Sequence, residues 1–563
     1  MYKFLCKDNK YTEYQYVETK TFQPIDTIQK SPIVMKLFVN DIFDYDTNTN
    51  THKIVHSNFR ANKTIPGILN LRMTHGKDKH KFLYLCKPDD KRIPFFLIPY
   101  TKKQDFDKSL EKIYITFEFK HWDFERPYGT MTQNLGNVVE LNHYYEYILY
   151  CKSLNISIQQ FTKNVKEKIQ NQSNKEIIDK ITEKYNLEKR RKKDYYIFTL
   201  DSHTSNDYDD AISYCEKEHK ISIYISNVAL IMDELDLWKA VSKRIATIYL
   251  PDKKRTMLPT LLNDMLCSLK EKQEKLCYVL DLFYNDKNEI ISHSFGCCNA
   301  YIRKNVGYKT IGDFEKMSHF QSLMKILGIK HAKQVVTRLM LLFNHYVGRD
   351  LWKKQKGIYK SLYQESTLQE KETHNIPEHI FQHICVLKNK GAKYSLYDPS
   401  LQYYSVVHKD IDVYAQATSP IRRLVDLLNN IMIVNELTQS QLNDKSIEFY
   451  NHWTSPENIE NINISSRAIR KIQSKCYIYK QYEENRLNGH DVYYKGYVFD
   501  KMYKEGDGKY QYIVYIESLG LTTSVTLTED FNNYSCHLFS LYVFMSEEND
   551  KKKIKLQLCY ESN

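Results

Sequence analysis

The sequence predicts an α+β protein of several domains, with β-rich ends around a mixed α/β centre, and three observations lead there. Short apolar bursts separated by Gly, Asp and Pro turns run from about His56 to Tyr100 and from Ile113 to Leu149, the spacing of short strands in small β-barrels. The same alternation returns after Tyr493, in Gly496–Asp500, Tyr510–Glu517 and Thr523–Leu527. Between them, strand-like Ile221–Val228 and Leu276–Phe283 precede helical patterns over Lys333–Lys354 and Ile421–Leu437. At 563 residues the chain has room for several separate cores.

Taken in order, residues 1–52 carry Asn/Thr-rich tracts around one apolar patch, Ile33–Phe43, and receive no role. The next two bursts divide into one small barrel over 53–105 and a second over 106–155. Residues 156–193 are charged, and the helical pattern over Ile156–Glu188 is free of Gly and Pro, so this stretch reads as a helical connector. It ends in the basic run Lys189–Lys193, which suits either a solvated face or a phosphate contact. A central domain follows over 194–485 and a C-terminal barrel over 490–563. Within the central domain, Thr418-Ser-Pro-Ile421 is a helix-start signal and should place Arg422 and Arg423 at the positive end of the last helix.

Composition narrows the partners. The net charge of +12 favours a polyanion, and 46 tyrosines suit stacking on unpaired bases. An AT-rich coding sequence would enrich Lys, Asn and Tyr in the same way, so composition permits nucleic-acid binding without showing it. The 12 cysteines form no Cys-x-x-Cys pair, which argues against a zinc ribbon or a disulfide framework and for a reducing compartment. No signal-peptide core opens the chain, and no stretch nears the ~20 apolar residues that span a bilayer. The expectation is a cytoplasmic protein without a membrane partner.

The stretch Phe198–Ala211 concentrates the chemistry. Asp201, Asp207, Asp209 and Asp210 fall within ten residues, after an apolar start that reads as a strand. Carboxylates this close repel unless a cation neutralises them. Carboxylate oxygens are what Mg²⁺ prefers, and a pair of such ions serves phosphodiester hydrolysis. A solvated acidic loop is the plain alternative.

Phe198-Thr-Leu-Asp201, then five residues, then Asp207-Tyr-Asp-Asp-Ala211 resembles the signature of the RNase II/RNB family of 3′-to-5′ exoribonucleases. Further blocks agree in order: Arg244–Pro251, Met257–Pro259, Asn263–Leu269, and Tyr414–Asp426 with its Thr-Ser-Pro-Ile-Arg core. The resemblance implies a central RNB domain flanked by OB-type barrels, cold-shock-like before it and S1-like after it. It implies Mg²⁺, with Mn²⁺ as a substitute, held by Asp201, Asp207, Asp209 and Asp210, and single-stranded RNA as partner to a chain expected to act as a monomer. It makes Asp209 the carboxylate whose loss stops cleavage while sparing RNA binding. Arg422 becomes the neutraliser of the scissile phosphate, Arg423 a further RNA contact, Tyr249 a stacking platform, and Tyr308 a neighbour of the last sugar.

The chain departs from the family pattern in four places. Ser202 replaces a Pro, Asn227 an Asp, Thr337 a Glu and Asn430 a His. None of these is a proposed metal ligand, but Thr337 bears on the choice between RNA and DNA and keeps a DNA exonuclease in view. The first expectation is an active exoribonuclease releasing 5′-mononucleotides; the alternative is a catalytically inactive RNA-binding regulator with the same fold.

Overall fold

The computed structural model describes residues 1–102, 111–191, 193, 195–202, 207–308, 311–361, 376–388, 392–400, 411–487, 492–546 and 550–560. Strands β1 (Tyr2–Cys6), β2 (Tyr14–Glu18), β3 (Ile42–Asp46) and β4 (Thr51–His56) pair in the order β2-β1-β3-β4. The N-terminal stretch is therefore an ordered sheet. Its Phe4, Phe38 and Phe43 are fully buried with Leu69, Phe96 and Phe117 of the following barrel, and Phe38 stacks on Trp122 at 5.0 Å.

The two barrels expected at 53–105 and 106–155 are one. Strands β5 (Ile65–Asp78), β6 (Lys81–Pro88), β7 (Phe96–Tyr100), β8 (Lys112–His121) and β9 (Tyr128–Asn137) close in the order β5-β6-β7-β9-β8. The reason lies in β5, which bonds β6 on one edge and β8 on the other, with Ile65 facing Phe117. The strands after residue 105 are thus needed to close the barrel that begins at residue 65. Local strand spacing carries no information about such closure.

The connector is helical as expected, over Gln159–Ile169 and Asn174–Lys184, the second opened by a Ser173/Glu176 capping box. Phe161, Val165, Ile177 and Ile181 pin both helices to the central core. The basic run then enters the central sheet as β10 (Glu188–Arg190), ahead of the expected boundary at 194. Arg190 is taken up inside the sheet. Its side chain is 4% exposed and bonds both oxygens of Asp281, at 2.9 and 2.6 Å, along with Ser222 and Tyr224.

The central sheet contains β11 (Ile197–Asp201), β12 (Asp210–Cys215) and β13 (Lys220–Ser226), joined after the hairpin β14 (Ile248–Tyr249) and β15 (Lys254–Arg255) by β16 (Gln273–Tyr284) and β17 (Ile290–Gly307). The long β17 pairs antiparallel with β16 through Ile302 and parallel with β11 from there to Gly307. The run β17-β11-β12-β13-β16 therefore closes on itself. Period-two alternation sends Ile197, Ala211, Tyr224, Cys277, Cys298 and Ala300 into one small cluster. Phe198, Leu200, Ile212, Ile223, Leu280 and Val306 take the opposite face, under the helices.

Among those helices, Leu424–Leu437 is buried from Leu424 to Val434, and Lys333–Lys353 spans the range expected for it to within a residue. The former begins three residues later than expected, and Thr418-Ser-Pro does not cap it. Instead the N–H groups of Arg422 and Arg423 both donate to the Ser419 carbonyl, at 3.2 and 3.0 Å, so these residues form a turn ahead of the helix. A two-stranded antiparallel sheet, β18 (Ile358–Ser361) with β19 (Lys393–Leu396), packs nearby. The helix Pro456–Leu487 then leads to β20 (Tyr493–Lys504), β21 (Lys509–Ile516), β22 (Leu521–Leu527), β23 (Cys536–Met545) and β24 (Lys552–Cys559), ordered β22-β21-β20-β23-β24. Asp550 ties this last sheet to the barrel through Lys87, at 2.9 Å, and Lys112, at 2.5 Å. Among the described residues every cysteine is free and no helix is long and apolar enough to cross a membrane.

The Arg190–Asp281 pair sets a test of the fold. Arg190→Ala leaves a buried carboxylate without its guanidinium and is expected to cost about 3 kcal/mol, read as a lower urea midpoint. The Arg190→Met, Asp281→Leu double variant should return most of that loss.

Candidate active site

Asp201 ends β11 and Asp210 begins β12, adjacent strands whose register pairs Phe198 with Ile212. This pairing puts both carboxylates at the same end of the sheet, on either side of the loop that carries Asp207 and Asp209. Asp201 Oδ2 is buried without a hydrogen-bond partner. Burial, then the Asp209 charge, raise the Asp201 carboxyl to about 6, against a hydrogen bond from Thr199 that pulls it down. Asp210 is held well above the ordinary carboxyl range, first by desolvation and then by Asp201 and Asp209. Tyr308 donates its N–H to the Asp201 carbonyl at 3.0 Å, and burial and then the charges of Asp201 and Asp210 push its hydroxyl up.

The other two carboxylates are already engaged. Asp209, 2% exposed, accepts the Ile421 N–H at 3.0 Å on one oxygen and Arg422 Nε at 2.8 Å on the other. Burial raises its carboxyl, and the Arg422 guanidinium is the main opposing influence. Asp207 accepts Lys254 Nζ on both oxygens, at 2.8 and 3.0 Å, and Asn263 Nδ2 at 2.6 Å. The four-carboxylate cluster expected from the sequence is therefore split. Among the described residues no three Asp, Glu, His or Cys side chains converge as a metal site. Asp201, with an orphaned buried oxygen, and Asp210, whose carboxyl the Asp201 charge raises, are the pair whose chemistry fits a divalent cation.

Arg422 is set by its turn. Its Nη2 donates to Ser419 Oγ at 2.9 Å, and among the described residues nothing accepts from Nη1. Asp426, fully buried in the first helical turn, accepts the Ser419 N–H at 2.8 Å and Arg423 Nη2 at 2.9 Å. Both arginines line a cavity of about 300 Å³ together with Tyr249, Lys360, Arg470 and Gln473. Tyr249 is 44% exposed and is anchored by its N–H to Gln473 Oε1 at 2.7 Å. Burial raises its hydroxyl to about 12, against the pull of Arg422. The Lys360 ammonium is pushed below its ordinary value by burial and by its neighbours Arg470 and Arg423.

Lys254, Asn263, Lys360 and Arg470 are the site residues that sequence reasoning missed. The signals available were weak: Lys254 stands four residues before the Leu258-Pro259 pair in an already basic run, and Arg470 sits on a helix rich in other cations. Two of the departures noted above have local explanations. Asn227 caps the helix Val228–Glu234 by accepting the Leu230 N–H at 3.1 Å, which Asp would do equally well. Asn430 donates to the Tyr278 hydroxyl at 2.5 Å and to the Asp426 carbonyl at 3.0 Å. Thr337 lies on an exposed face of Lys333–Lys353.

A closed mixed sheet with an acidic loop, an OB-type barrel before it and a β-sheet after it defines an RNB-type architecture. Comparison with known proteins agrees. The RNB domain model matches residues 189–325, and the Dis3-like cold-shock domain 2 (CSD2) model matches residues 83–152. DIS3-like exonuclease 2 of Schizosaccharomyces pombe is 28% identical over 276 residues, 45% of this chain and 29% of that protein. Ribonuclease R of Chlamydia pneumoniae is 27% identical over 140 residues, 24% of this chain and 21% of that protein. The matched stretch thus spans less than a third of these curated relatives. In fold, Mycoplasma genitalium RNase R in complex with ribose methylated single-stranded RNA superposes with a TM-score of 0.62 at 13% identity, over 98% of this chain and 96% of that one. Yeast Ssd1, a pseudonuclease, gives 0.55 at 13% identity, over 87% of this chain and 68% of its own. Over residues 189–325 the chain is thus similar to the RNB domain.

The raised carboxyls fix a pH dependence. The folded protein keeps protons that unfolded aspartates would have released, so this contribution to stability is complete below about pH 4 and is lost as pH rises through about 6. In metal-free buffer, Asp201→Asn should melt a few degrees above the wild type at pH 8 and level with it at pH 4.5. Equal shifts at both pH values, by scanning fluorimetry, would count against the buried pair.

Proposed function

We propose that the protein is a 3′-to-5′ exoribonuclease that hydrolyses single-stranded RNA to 5′-mononucleotides. The observation that carries this reading is the pairing of a cation-ready couple, Asp201 and Asp210, with an arginine whose Nη1 is left for a phosphate. A Mg²⁺ ion bound by those two carboxylates would lower the pKa of an attacking water and screen the departing 3′-oxygen. Asp209 aims Arg422 rather than touching the ion. Its carboxylate fixes Nε and Ser419 fixes Nη2, so the guanidinium meets the scissile phosphate without reorganising. Tyr308 stands beside the terminal sugar. Tyr249 offers its exposed face to a base, while Lys360, Arg423 and Arg470 attract the backbone behind it. The C-terminal sheet, read as an S1-type module, would clamp the strand farther out.

A catalytically silent RNA-binding protein is the second reading. The capture of Asp207 by Lys254 favours it, as does the likeness in fold to a pseudonuclease.

Digestion of a 5′-labelled single-stranded RNA with Mg²⁺, beside its DNA analogue, separates the two readings. A ladder shortening from the 3′ end is expected on RNA. Asp209→Asn should slow it by about 100-fold or more while RNA is still bound, since a neutral amide no longer orients Arg422. RNA bound but never shortened, across several divalent ions, would leave the silent reading. Tyr249→Ala should weaken RNA binding about tenfold. Lys360→Ala should lower the slope of log K against log salt by about one.

A further inference from the structure

We propose that the C-terminal sheet holds single-stranded RNA on the outer face of β20, β23 and β24, upstream of the 3′ end being digested, and not on the face an OB-type fold ordinarily uses. The inference rests on the exoribonuclease reading and adds a second RNA site to it. OB-type folds take a strand over their second and third strands, here β21 and β22. That side of the sheet is occupied from within the chain. Ile380 and Ile384 of the helix Glu378–Lys388 are buried in one cluster with Phe499, Tyr515 and Tyr534. His383 stacks on Tyr515 at 4.4 Å, and His379 Nε2 lies 3.0 Å from Glu517.

The register of the remaining strands builds another platform. Tyr493 of β20 faces Ser540 of β23, and Ser540 faces Gln557 of β24; Tyr542 faces Lys555, and Phe544 faces Lys553. Directly opposed residues point the same way, so Tyr493, Tyr542 and Phe544 share one face. These rings are 56%, 46% and 45% exposed, and Lys495, Lys553 and Lys555 beside them are exposed as well. Alternate residues of a strand stand about 7 Å apart on one face, which lets Tyr542 and Phe544 each take a base while the lysines meet phosphates. Among the described residues of this face there is no carboxylate. Arg486, in the last turn of the helix Pro456–Leu487, joins Tyr493, Ser540 and Tyr542 around a groove of about 530 Å³. Val543 and Ile554 point the opposite way and pack against the barrel and the middle of that helix. The platform therefore lies on the other side of the sheet from the barrel.

The test is the binding of 5′-labelled unstructured RNAs in EDTA, where no cleavage intervenes, read as Kd against RNA length. The wild type should hold an RNA of about 40 nucleotides at least about tenfold more tightly than one of about 10. Tyr493→Ala, Tyr542→Ala and Phe544→Ala together should remove that gain and leave the short RNA within about twofold. Lys495→Gln, Lys553→Gln and Lys555→Gln together should lower the salt slope of log K for the long RNA by about two, and they carry the test if the aromatic variant melts early. Photocrosslinks from a thiouridine-labelled long RNA should fall on the peptide of Tyr542. An unchanged length gain in both variants, equal losses on short and long RNA, or crosslinks on the peptides of Tyr497 and Tyr515 instead, overturn the inference. The Mg²⁺ ladder keeps the two readings apart: cleavage without a length gain removes only the platform, and a length gain lost in the variants without cleavage removes only the nuclease.

Discussion

One ion pair, the buried Asp209 with the partly exposed Arg422, holds the halves of the site in register across 213 residues of sequence. One partner comes from the loop between two strands of the central sheet, the other from the turn ahead of the buried helix. Such a pair adds little net stability, because desolvating Asp209 costs about what the attraction returns, but removing Arg422 leaves a buried charge uncompensated. The pair therefore fixes geometry more than it raises stability. The turn is braced from its other side as well, since Asp426 receives both the Ser419 N–H and Arg423. The helix behind it is stapled by Asn429, whose amide bonds the Ile358 backbone twice and the Gln416 carbonyl once.

The acidic loop divides into two electrostatic classes as a result. Asp207 and Asp209 are matched by cations of the chain itself, whereas Asp201 and Asp210 are driven toward their protonated forms. Strain of this kind is what a ligand relieves, and it is confined to the sheet end that also carries Tyr308. Had all four carboxylates been left unmatched, the loop would carry about six repelling pairs in place of one. The internal cations let a dense acidic motif fold inside a chain while leaving part of its charge available.

Much of this was legible from the residues. The acidic spacing, the strand before it and the Thr-Ser-Pro-Ile-Arg block marked the two halves of the site, and both connector helices fall within the stretch read as helical. What escaped was set by contacts distant in sequence. Lys254 lies 47 residues from Asp207, and no local pattern distinguishes it from Lys253, which turns away to Glu146. The single barrel was read as two because turn signals mark where strands end, not which strand they pair with. The late start of the helix at Leu424 has the same origin: Ser419 keeps its carbonyl for the turn while Asp426 takes its N–H, so a strong local capping signal yields to a tertiary bond.

The long helix Pro456–Leu487 relates the chain's basic charge to the site. One face brings Arg470 and Gln473 into the cavity beside Tyr249 and Arg422. The neighbouring face brings Arg467, Lys471 and Lys475 into a second cavity of about 400 Å³, between the barrel and the C-terminal sheet, where Lys152 joins them. Residues three and four apart share a helix face, so this spacing sets cations along the helix between the two cavities. Lys475 is pushed below its ordinary value by burial and then by Lys471 and Lys152, a cost the fold bears although Asp89 and Asp550 line the same cavity. Under the proposed function that cost has a direction. A polyanion entering between barrel and sheet would neutralise the outer group first and then Arg470 and Lys360, which carries its end toward Arg422 and the two carboxylates.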